Sequence, residues 1–397
     1  MKKTLFYALC GVMAAGLMTA CNTGTQPDEM SKKEKALQAV MTPYVNDVVV
    51  PAYKGMADYA IEMSDYCSQM LEEFDNGGVK AETVKAACEA WNKSRDYWEK
   101  SEAFLYGPAG NHNIDPHIDS WPLDLRSMVA MLNNEAQMKE IEDMGADYIL
   151  NNLGYGLLGY HAVEYNLFEL TDNGNASQPH SVGTYTRPQL VYLDAVAQDL
   201  AVQATALEAC WAGLDNVTKQ KADLLEEAEV EYSEMGDGYG WQMINAGKGG
   251  SSYKTYQEAA EEIVAGAIDI VTEVGNLKIG NPNRGIKGEA EGDREYIESP
   301  YSLNSVNDFV GNITSVYNAY TNKDGNASIS TFVKGQNPDL DAKVRKAIDE
   351  AIAAIKAIPE PFAKTAGGAE ADAAIAKLAE LETILNDEVL KELASVE

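Results

Sequence analysis

Apolar residues recur three and four positions apart along most of this chain, and this spacing limits its fold more than any other feature. Such spacing places apolar side chains on one face of an α-helix. Four segments show it most clearly: Leu37, Val40, Met41, Tyr44, Val45 and Val48; Val84, Ala87, Cys88, Trp91, Arg95 and Trp98; Val344, Ala347, Ile348, Ala351, Ile352 and Ile355; and Ile375, Leu378, Leu381 and Leu385. Alternating β-branched runs are nearly absent, so the chain is predicted to be all-α.

Proline and glycine divide these helical segments. Pro43 and Pro51 predict kinks or boundaries, and Pro359 and Pro361 separate the last two stripes. Long Gly-, Pro- and Asn-rich connections predict irregular structure at 106–122, 234–252 and 279–302.

The chain length and two similar phrases predict two halves. With 397 residues, the chain exceeds the size at which one core keeps growing. The phrases "IDSWP" at 118 and "IESPY" at 297 each end a long connection, as an internal duplication would explain. We therefore expect two four-helix-bundle-like domains, at 34–215 and 251–397, joined by a linker at 216–250.

The N-terminus predicts export and a lipid anchor. Two lysines precede an apolar run that ends in small residues, which is typical of a signal peptide at 1–20. The sequence "LMTAC" resembles a lipobox with Cys21 as the acylated residue, and an ordinary signal peptide is the alternative. The polar residues 21–33 then serve as a tether. Asn22 is not the Asp that favours inner-membrane retention, so an outer-membrane location is expected, on either its periplasmic or its surface face.

The charge excludes one class of partner. Asp and Glu number 62 against 31 Lys and Arg, a formal net charge of -31, so we expect no nucleic-acid partner. No stretch after the signal is long and apolar enough to span a bilayer. The mature domains keep Cys67, Cys88 and Cys210. A Cys67–Cys88 bridge could form in an oxidising compartment, but buried free thiols are favoured.

A titratable pair occupies an apolar stripe in "GLLGYHAVEYNLF" at 156–168, where His161 and Glu164 share a helix face. A buried carboxylate needs a cation or several hydrogen-bond donors. A salt bridge from Arg95 or Arg187, rotation of the pair toward solvent, and a metal ion are the alternatives. The pair alone is a weak signal, since His112 and Asp115 repeat the spacing in a loop. His180 lies in a polar loop and is expected to be exposed.

Gly159, His161 and Glu164 form a GxHxxE motif, and two further segments accompany it. These are "WNKSRDYWEKSEAFLYGPAG" at 91–110 with "IDSWPLD" at 118–124, and "SPYSLNSVNDF" at 299–309. Their order and spacing resemble the imelysin-like family, also called peptidase family M75, over most of the mature chain. The resemblance implies duplicated helical bundles, export to the cell envelope, an association with bacterial iron uptake, and a pocket at the junction of the halves.

The resemblance also assigns site residues. His161, Glu164 and Glu102 are the expected metal ligands, for iron or another divalent metal. The expected ligand-binding residues are Gly159, Asp119 and Trp121 in the first half and Ser299, Tyr301, Ser302, Asn304 and Asp308 in the second. As alternatives, Asp119 and Ser299 could be helix N-caps and Trp121 could belong to the core.

These residues suit binding better than catalysis. Metallopeptidases hold zinc with three protein ligands and need a general base, and HExxH is absent here. We therefore expect an envelope component that binds iron, an iron chelate or haem and works with iron-transport proteins. A metal-dependent peptidase and an acidic interaction module are the alternatives.

Overall fold

The computed structural model describes residues 30–322 and 326–395 of this chain. The predicted signal peptide, Cys21 and most of the tether lie outside the described residues. Within them the all-α prediction is confirmed, with one short antiparallel hairpin besides the helices. No helix in the described part is both long enough and apolar enough to cross a membrane.

The α-helices are numbered in chain order. They are α1 (Lys32–Pro43), α2 (Val50–Asp75), α3 (Ala81–Glu99), α4 (Pro108–Asn111), α5 (Ile114–Ile118), α6 (Leu125–Leu132), α7 (Glu135–Met144), α8 (Ala146–Asn152), α9 (Gly159–Leu167), α10 (Arg187–Ala212), α11 (Lys219–Glu227), α12 (Tyr239–Ile244), α13 (Tyr256–Glu273), α14 (Gly280–Ile286), α15 (Ser305–Thr321), α16 (Ile329–Gln336), α17 (Pro338–Lys356), α18 (Phe362–Thr365), α19 (Ala369–Ile384) and α20 (Leu390–Ala394).

Shorter elements connect these helices. The strands are β1 (Phe168–Leu170) and β2 (Ser177–Pro179), with Glu169 opposite Gln178. The 3₁₀ turns are Glu102–Phe104, Tyr155–Leu157, Val182–Thr184, Leu214–Asn216 and Ser233–Met235, and the π-helical stretches are Tyr44–Val49, Val274–Lys278 and Leu385–Val389.

The prolines near the N-terminus change the helix type without ending the helix. The π-helical stretch Tyr44–Val49 joins α1 to α2, so the backbone stays helical from Lys32 to Asp75. Proline cannot donate a backbone hydrogen bond, and a wider turn accommodates the missing bond. Ser31 caps α1, so the last two residues of the predicted tether already belong to this helix.

Each half contains a closed ring of four packed helices. In the first half α2 packs on α3 and α10, and α9 packs on the same two helices. In the second half α13 packs on α15 and α19, and α17 packs on both of those. The predicted stripe of α3 is buried, including Arg95 at its centre. Cys67, Cys88 and Cys210 are buried free thiols, as predicted.

The two rings meet closely enough to share one continuous hydrophobic core. Helix α3 packs on α15, where Gly311 allows contact because a Cβ atom there would lie 2.6 Å from Glu99 Cβ. Helix α1 also packs on α13 of the other half. The domain limits given above therefore stay a prediction.

All three predicted irregular stretches are partly helical. Helices α4 and α5 lie inside 106–122, α12 lies inside 234–252, and α14 lies inside 279–302. The linker at 216–250 also contains α11, whose Leu225 packs on α10 in a small separate hydrophobic cluster. Helices of four to nine residues show too few turns for an apolar period to be recognised.

Candidate functional site

The GxHxxE motif forms the first turns of α9, beside the end of α5. Gly159 has a φ of 75°, and a Cβ atom there would lie 2.2 Å from the carbonyl oxygen of Ile118. Only glycine fits this position. The close approach sets His161 against Asp119, the residue after Ile118. Gly159 therefore positions the site, and its own role does not require contact with a ligand.

His161 lies between two carboxylates. Its Nδ1 atom is 3.1 Å from Glu164 Oε2, and its Nε2 atom is 3.1 Å from Asp119 Oδ1. The Nε2 contact is poorly aligned, so this atom has no hydrogen-bond partner among the described residues. Burial alone would lower the pKa of His161, but the carboxylates of Asp119 and Glu164 outweigh it and raise this pKa to about 9.

Hydrogen-bond donors from the second half stabilise the buried carboxylate of Glu164. Its Oε1 atom accepts hydrogen bonds from the amides of Tyr301 and Ser302, at 2.9 and 2.7 Å, and from Ser302 Oγ at 2.7 Å. The residue is fully buried, so the solvent-facing alternative is wrong.

Neither arginine considered for Glu164 contacts it. Arg187 lies at the surface, where it pairs with Asp75 and Glu142. Arg95 pairs with other carboxylates. The salt-bridge alternative is therefore also wrong.

Arg95 lies at the centre of a buried acidic cluster. Its Nη2 atom is 2.7 Å from Glu298 Oε1 and 2.6 Å from Glu99 Oε1, and its Nε atom is 3.4 Å from Asp308 Oδ2. Its Nη1 atom contacts Asp119. These contacts join α3 to the loop after α5 and to the second half, so the cluster forms only when both halves are in place.

Lys278 adds a second buried cation at the end of the π-helical stretch after α13. Its Nζ atom lies 3.0 Å from Glu298 Oε1 and 3.9 Å from one carboxylate oxygen each of Glu99 and Glu102. The same Nζ atom lies 4.9 Å above the ring of Trp121. Glu102, one of the expected metal ligands, thus faces Lys278, and no contact with His161 is found.

Negative charge exceeds positive charge in this cluster. The buried carboxylates are six, Glu99, Glu102, Asp119, Glu164, Glu298 and Asp308, and the buried cationic groups are Arg95, Lys278 and protonated His161. Burial raises the pKa of Glu99 and of Glu102 well above the usual range, and it raises that of Asp308 to about 7. Burial opposes ionisation of Asp119 as well, but Arg95 and His161 hold its pKa well below the usual range. The excess favours uptake of protons or of a cation.

Three side chains of the cluster converge as metal ligands could. One donor atom each from Asp119, His161 and Glu298 lies within 4.8 Å of the others, and all three residues are buried. Two further sets of three acidic residues meet the same criterion. They are Glu99, Glu102 and Asp119, and Glu99, Glu298 and Asp308. His161 Nε2 and Glu298 Oε2 have no hydrogen-bond partner in the described part of the chain. Imidazole nitrogen and carboxylate oxygen are donors that suit iron, so the residues fit that metal.

Other predicted residues support the acidic cluster from a distance. Ser299 Oγ donates to Asp308 Oδ2 and Asn304 Nδ2 donates to Asp308 Oδ1, each at 2.5 Å, so they orient Asp308 toward Arg95. The N-cap alternatives are wrong, because Asp124 caps α6 and Asn304 precedes α15.

The aromatic residues of the prediction lie closer to the histidine. Trp121 is half-buried, and its ring centroid lies 6.0 Å from that of His161. The buried Trp121 Nε1 atom has no hydrogen-bond partner among the described residues. The Tyr301 ring packs against Tyr165, with centroids 4.9 Å apart.

The other histidines lie outside this cluster. His112 Nε2 is 2.9 Å from Glu234 Oε2, and its ring stacks on Tyr232. His180, expected to be exposed, is half-buried and contacts Glu169 and Thr184. His117 Nε2 lies 2.7 Å from Asp199 Oδ2. None of these three histidines belongs to a group of three converging metal-donor side chains within the described residues.

Two clefts reach the acidic cluster from outside. The His161 cleft, of about 420 Å³, is lined by His161, Trp121 and Tyr301 and by apolar neighbours. The Asp308 cleft, of about 660 Å³, lies between α3 and α15 and is lined by Glu99, Asp308 and polar side chains. A ligand in the first cleft would meet His161, and one in the second would meet carboxylates.

Glu298, Arg95 and Lys278 were not predicted as site residues. Glu298 lies in the repeated phrase "IESPY", and Arg95 lies on the apolar stripe of α3. Each therefore belongs to a pattern that the sequence already shows. A charged residue at a buried position of a helix stripe is the signal that could have identified Arg95.

The fold and the site define a class of all-α proteins in which two four-helix rings enclose a buried histidine–carboxylate cluster. This chain belongs to the Imelysin family, peptidase M75, whose family model matches residues 50–386. The resemblance stated from the motifs is thereby confirmed.

Relatives and solved structures agree with this assignment. Iron-regulated protein A of Synechococcus elongatus is 28% identical over 323 residues, covering 80% of this chain and 75% of that protein. A Parabacteroides distasonis structure, provisionally assigned as an iron-regulated protein A precursor, has a TM-score of 0.75 at 25% identity and covers 94% of this chain and 97% of its own. An imelysin-like protein from Psychrobacter arcticum, with a TM-score of 0.62 at 15% identity over 92% of this chain and 97% of its own, supports the fold alone.

Proposed function

We propose that this chain is a lipid-anchored, extracytoplasmic component of iron acquisition that binds iron as its cargo at His161, Asp119 and Glu298. One observation carries the proposal: donor atoms of these three buried residues converge, and one of the three, His161, lines the His161 cleft. A histidine nitrogen and two carboxylate oxygens would leave further coordination positions of the metal free, and these could face the cleft.

The charge of the cluster supports a cationic guest. Six buried carboxylates surround three cationic groups, and Glu298 Oε2 has no hydrogen-bond partner among the described residues. A divalent or trivalent cation would offset this excess, which otherwise requires bound protons. Binding should therefore release protons.

Similar proteins direct the choice of metal toward iron. Two of them carry the words "iron-regulated protein A" in their names. Production under the control of iron is what an iron-acquisition component requires. An iron chelate or haem would use the same cleft, since His161 lines it.

The location and partners in this proposal follow from the sequence. The signal at 1–20 and Cys21 support acylation and attachment to the outer membrane through lipid alone. Envelope iron-transport proteins are the partners that would receive the cargo. The acidic excess supports no role with nucleic acid.

Metal titration of the purified mature protein tests the proposal. We expect about one equivalent of iron(II), measured anaerobically by calorimetry and by metal analysis after dialysis. His161→Ala should abolish binding, and Glu298→Gln should weaken it about 10- to 100-fold. His180→Ala is the matched control and should bind normally. Undiminished binding by His161→Ala would overturn the assignment.

A metal-dependent peptidase is the alternative function. In that mechanism a carboxylate must activate water. Glu164 already accepts three hydrogen bonds at Oε1 and faces His161 Nδ1 with Oε2, so it is committed to other contacts. Chelator-sensitive cleavage of a peptide library would favour the peptidase. The absence of both peptide cleavage and iron binding would favour an acidic interaction module.

A further inference from the structure

The walls of the His161 cleft differ from the cluster at its base. Leu123, Leu125, Leu170, Ile297 and Pro300 line it together with Trp121 and Tyr301. Apart from His161, its charged lining residues are Arg294 and Glu295, which are highly exposed and lie 3.5 Å from each other. The route to His161 through this cleft is therefore mainly apolar.

Two leucines of this cleft have exposed apolar surface. Leu125 is 37% exposed and Leu170 is 39% exposed. Apolar surface that converges on a polar floor is typical of sites for organic ligands. A hydrated metal ion gains nothing from such walls. The volume of about 420 Å³ also falls in the range of small-molecule sites.

Two buried polar atoms lack hydrogen-bond partners at this cleft. They are His161 Nε2 and Trp121 Nε1, as far as the described residues extend. The imidazole nitrogen, once neutral, can bind a metal, whereas the indole N–H can only donate a hydrogen bond. A ligand that presents a metal to deprotonated His161 Nε2 and an acceptor atom to Trp121 Nε1 satisfies both.

The spacing of the His161 imidazole ring and the Trp121 indole ring suits such a ligand. Their centroids lie 6.0 Å apart. A metal–nitrogen bond and a metal–oxygen bond of about 2 Å each, followed by a hydrogen bond of about 2.9 Å, form a bent path that can join atoms of two side chains at this separation. An oxygen atom already bound to the metal could therefore accept from Trp121 while the metal binds His161.

We infer that the His161 cleft takes iron as a chelate, held by an organic oxygen-donor ligand with a ring-sized apolar face, in preference to the bare ion. The inference rests on the function proposed above. His161 Nε2 fills an exchangeable position on the iron, Trp121 Nε1 donates to a chelator oxygen, and the apolar face packs on Leu125 and Leu170.

The test compares two pre-formed iron(III) complexes, one of catechol and one of acetohydroxamate, with bare iron(II). Both chelators bind through two oxygens, but only catechol carries a ring. Calorimetry on the full mature chain should show at least about tenfold tighter binding of the catechol complex. Trp121→Phe should weaken both chelates about fivefold, because the hydrogen bond is lost.

The double variant Leu125→Ser/Leu170→Ser should remove most of the preference for the catechol complex and leave iron(II) binding unchanged. Both leucines are partly exposed, so the fold should tolerate the change. Leu150→Ser is the matched control, since Leu150 is 41% exposed and does not line the cleft.

The outcomes separate this inference from the function on which it rests. Equal affinity for both chelates, or a preference that survives the double leucine variant, would overturn the inference. Binding of iron(II) in the same experiment would still support the proposed function. Equally tight binding of metal-free catechol would also overturn the inference. Absence of any iron binding would remove the proposed function itself.

Discussion

The two nitrogens of the His161 ring face equally buried surroundings that differ in how fully their hydrogen bonds and charges are satisfied. On the Nδ1 side, Glu164 receives three hydrogen bonds from Tyr301 and Ser302. On the Nε2 side, Glu298 keeps an oxygen without a hydrogen-bond partner among the described residues, and the acids outnumber the cations. We infer that the Nδ1 side holds the histidine in place and that the Nε2 side is arranged to bind a cation.

The largest effect is expected from Arg95, the main cation of the Nε2 side. Arg95→Leu leaves the carboxylates of Glu99, Asp119, Glu298 and Asp308 without this partner. The free energy of unfolding should fall by about 3–5 kcal/mol, as measured by urea denaturation.

Arg187→Leu is the control for this variant. Arg187 is 42% exposed in its pairs with Asp75 and Glu142, so its loss should cost less than about 1 kcal/mol. Equal losses in the two variants would show that the buried cluster is not under the electrostatic stress inferred for it.

Gly159 sets the position of His161 relative to Asp119, and its replacement should have the next largest effect. Gly159→Ala forces a side chain into a positive φ and onto the Ile118 carbonyl. The loss should be about 2 kcal/mol or more in thermal or urea unfolding. Gly183→Ala, at a position with no heavy atom near the new Cβ, should change stability by less than about 1 kcal/mol. Similar values for the two alanines would mean that the approach of α9 to α5 is loose.

Replacing Glu164 and Glu298 in turn with glutamine tests the two sides of the His161 ring separately. Glu164→Gln weakens the contact with His161 and three accepted hydrogen bonds, so it should destabilise the protein by about 1–3 kcal/mol. Glu298→Gln keeps an acceptor for Arg95 and Lys278 and removes excess charge, so stability should change by less than about 1 kcal/mol.

Measurements of iron affinity and of the free energy of unfolding together distinguish the roles of the two glutamates. Glu298→Gln should lose affinity with little loss of stability. Glu164→Gln should lose stability, and its effect on iron should come through the position of His161. If Glu298→Gln proved the more destabilising, the Nε2 side would be the structural one.

The sequence predicted the helices and the histidine motif because both depend on local spacing. The stripe of α3 predicted the buried position of Arg95, and the long connection at 106–122 predicted the source of Asp119 and Trp121. Long helices repeat their apolar period often enough to be recognised.

The rest of the site depends on contacts between distant segments. Arg95 and Glu298 are 203 residues apart, and no local pattern links them. The partners of Glu164 are mainly backbone amides, which every non-proline residue carries, so the side-chain letters at 301 and 302 cannot identify them. The sequence therefore predicted which side chains need partners better than it predicted the partners.

The pH dependence of stability also distinguishes the two sides of the ring, through its sign. The pKa of His161 is raised from 6.5 to about 9, so the stability it contributes is complete below about pH 6.5 and is lost as pH rises through 9. The free energy of unfolding of the metal-free protein should fall across this window by at most about 1.4 kcal/mol per pH unit. Iron affinity should rise over the same range, because Nε2 must lose its proton to bind metal. His161→Gln should flatten the stability curve, and His180→Gln should not. Stability and affinity that rose together with pH would contradict a protonated His161 in the metal-free protein.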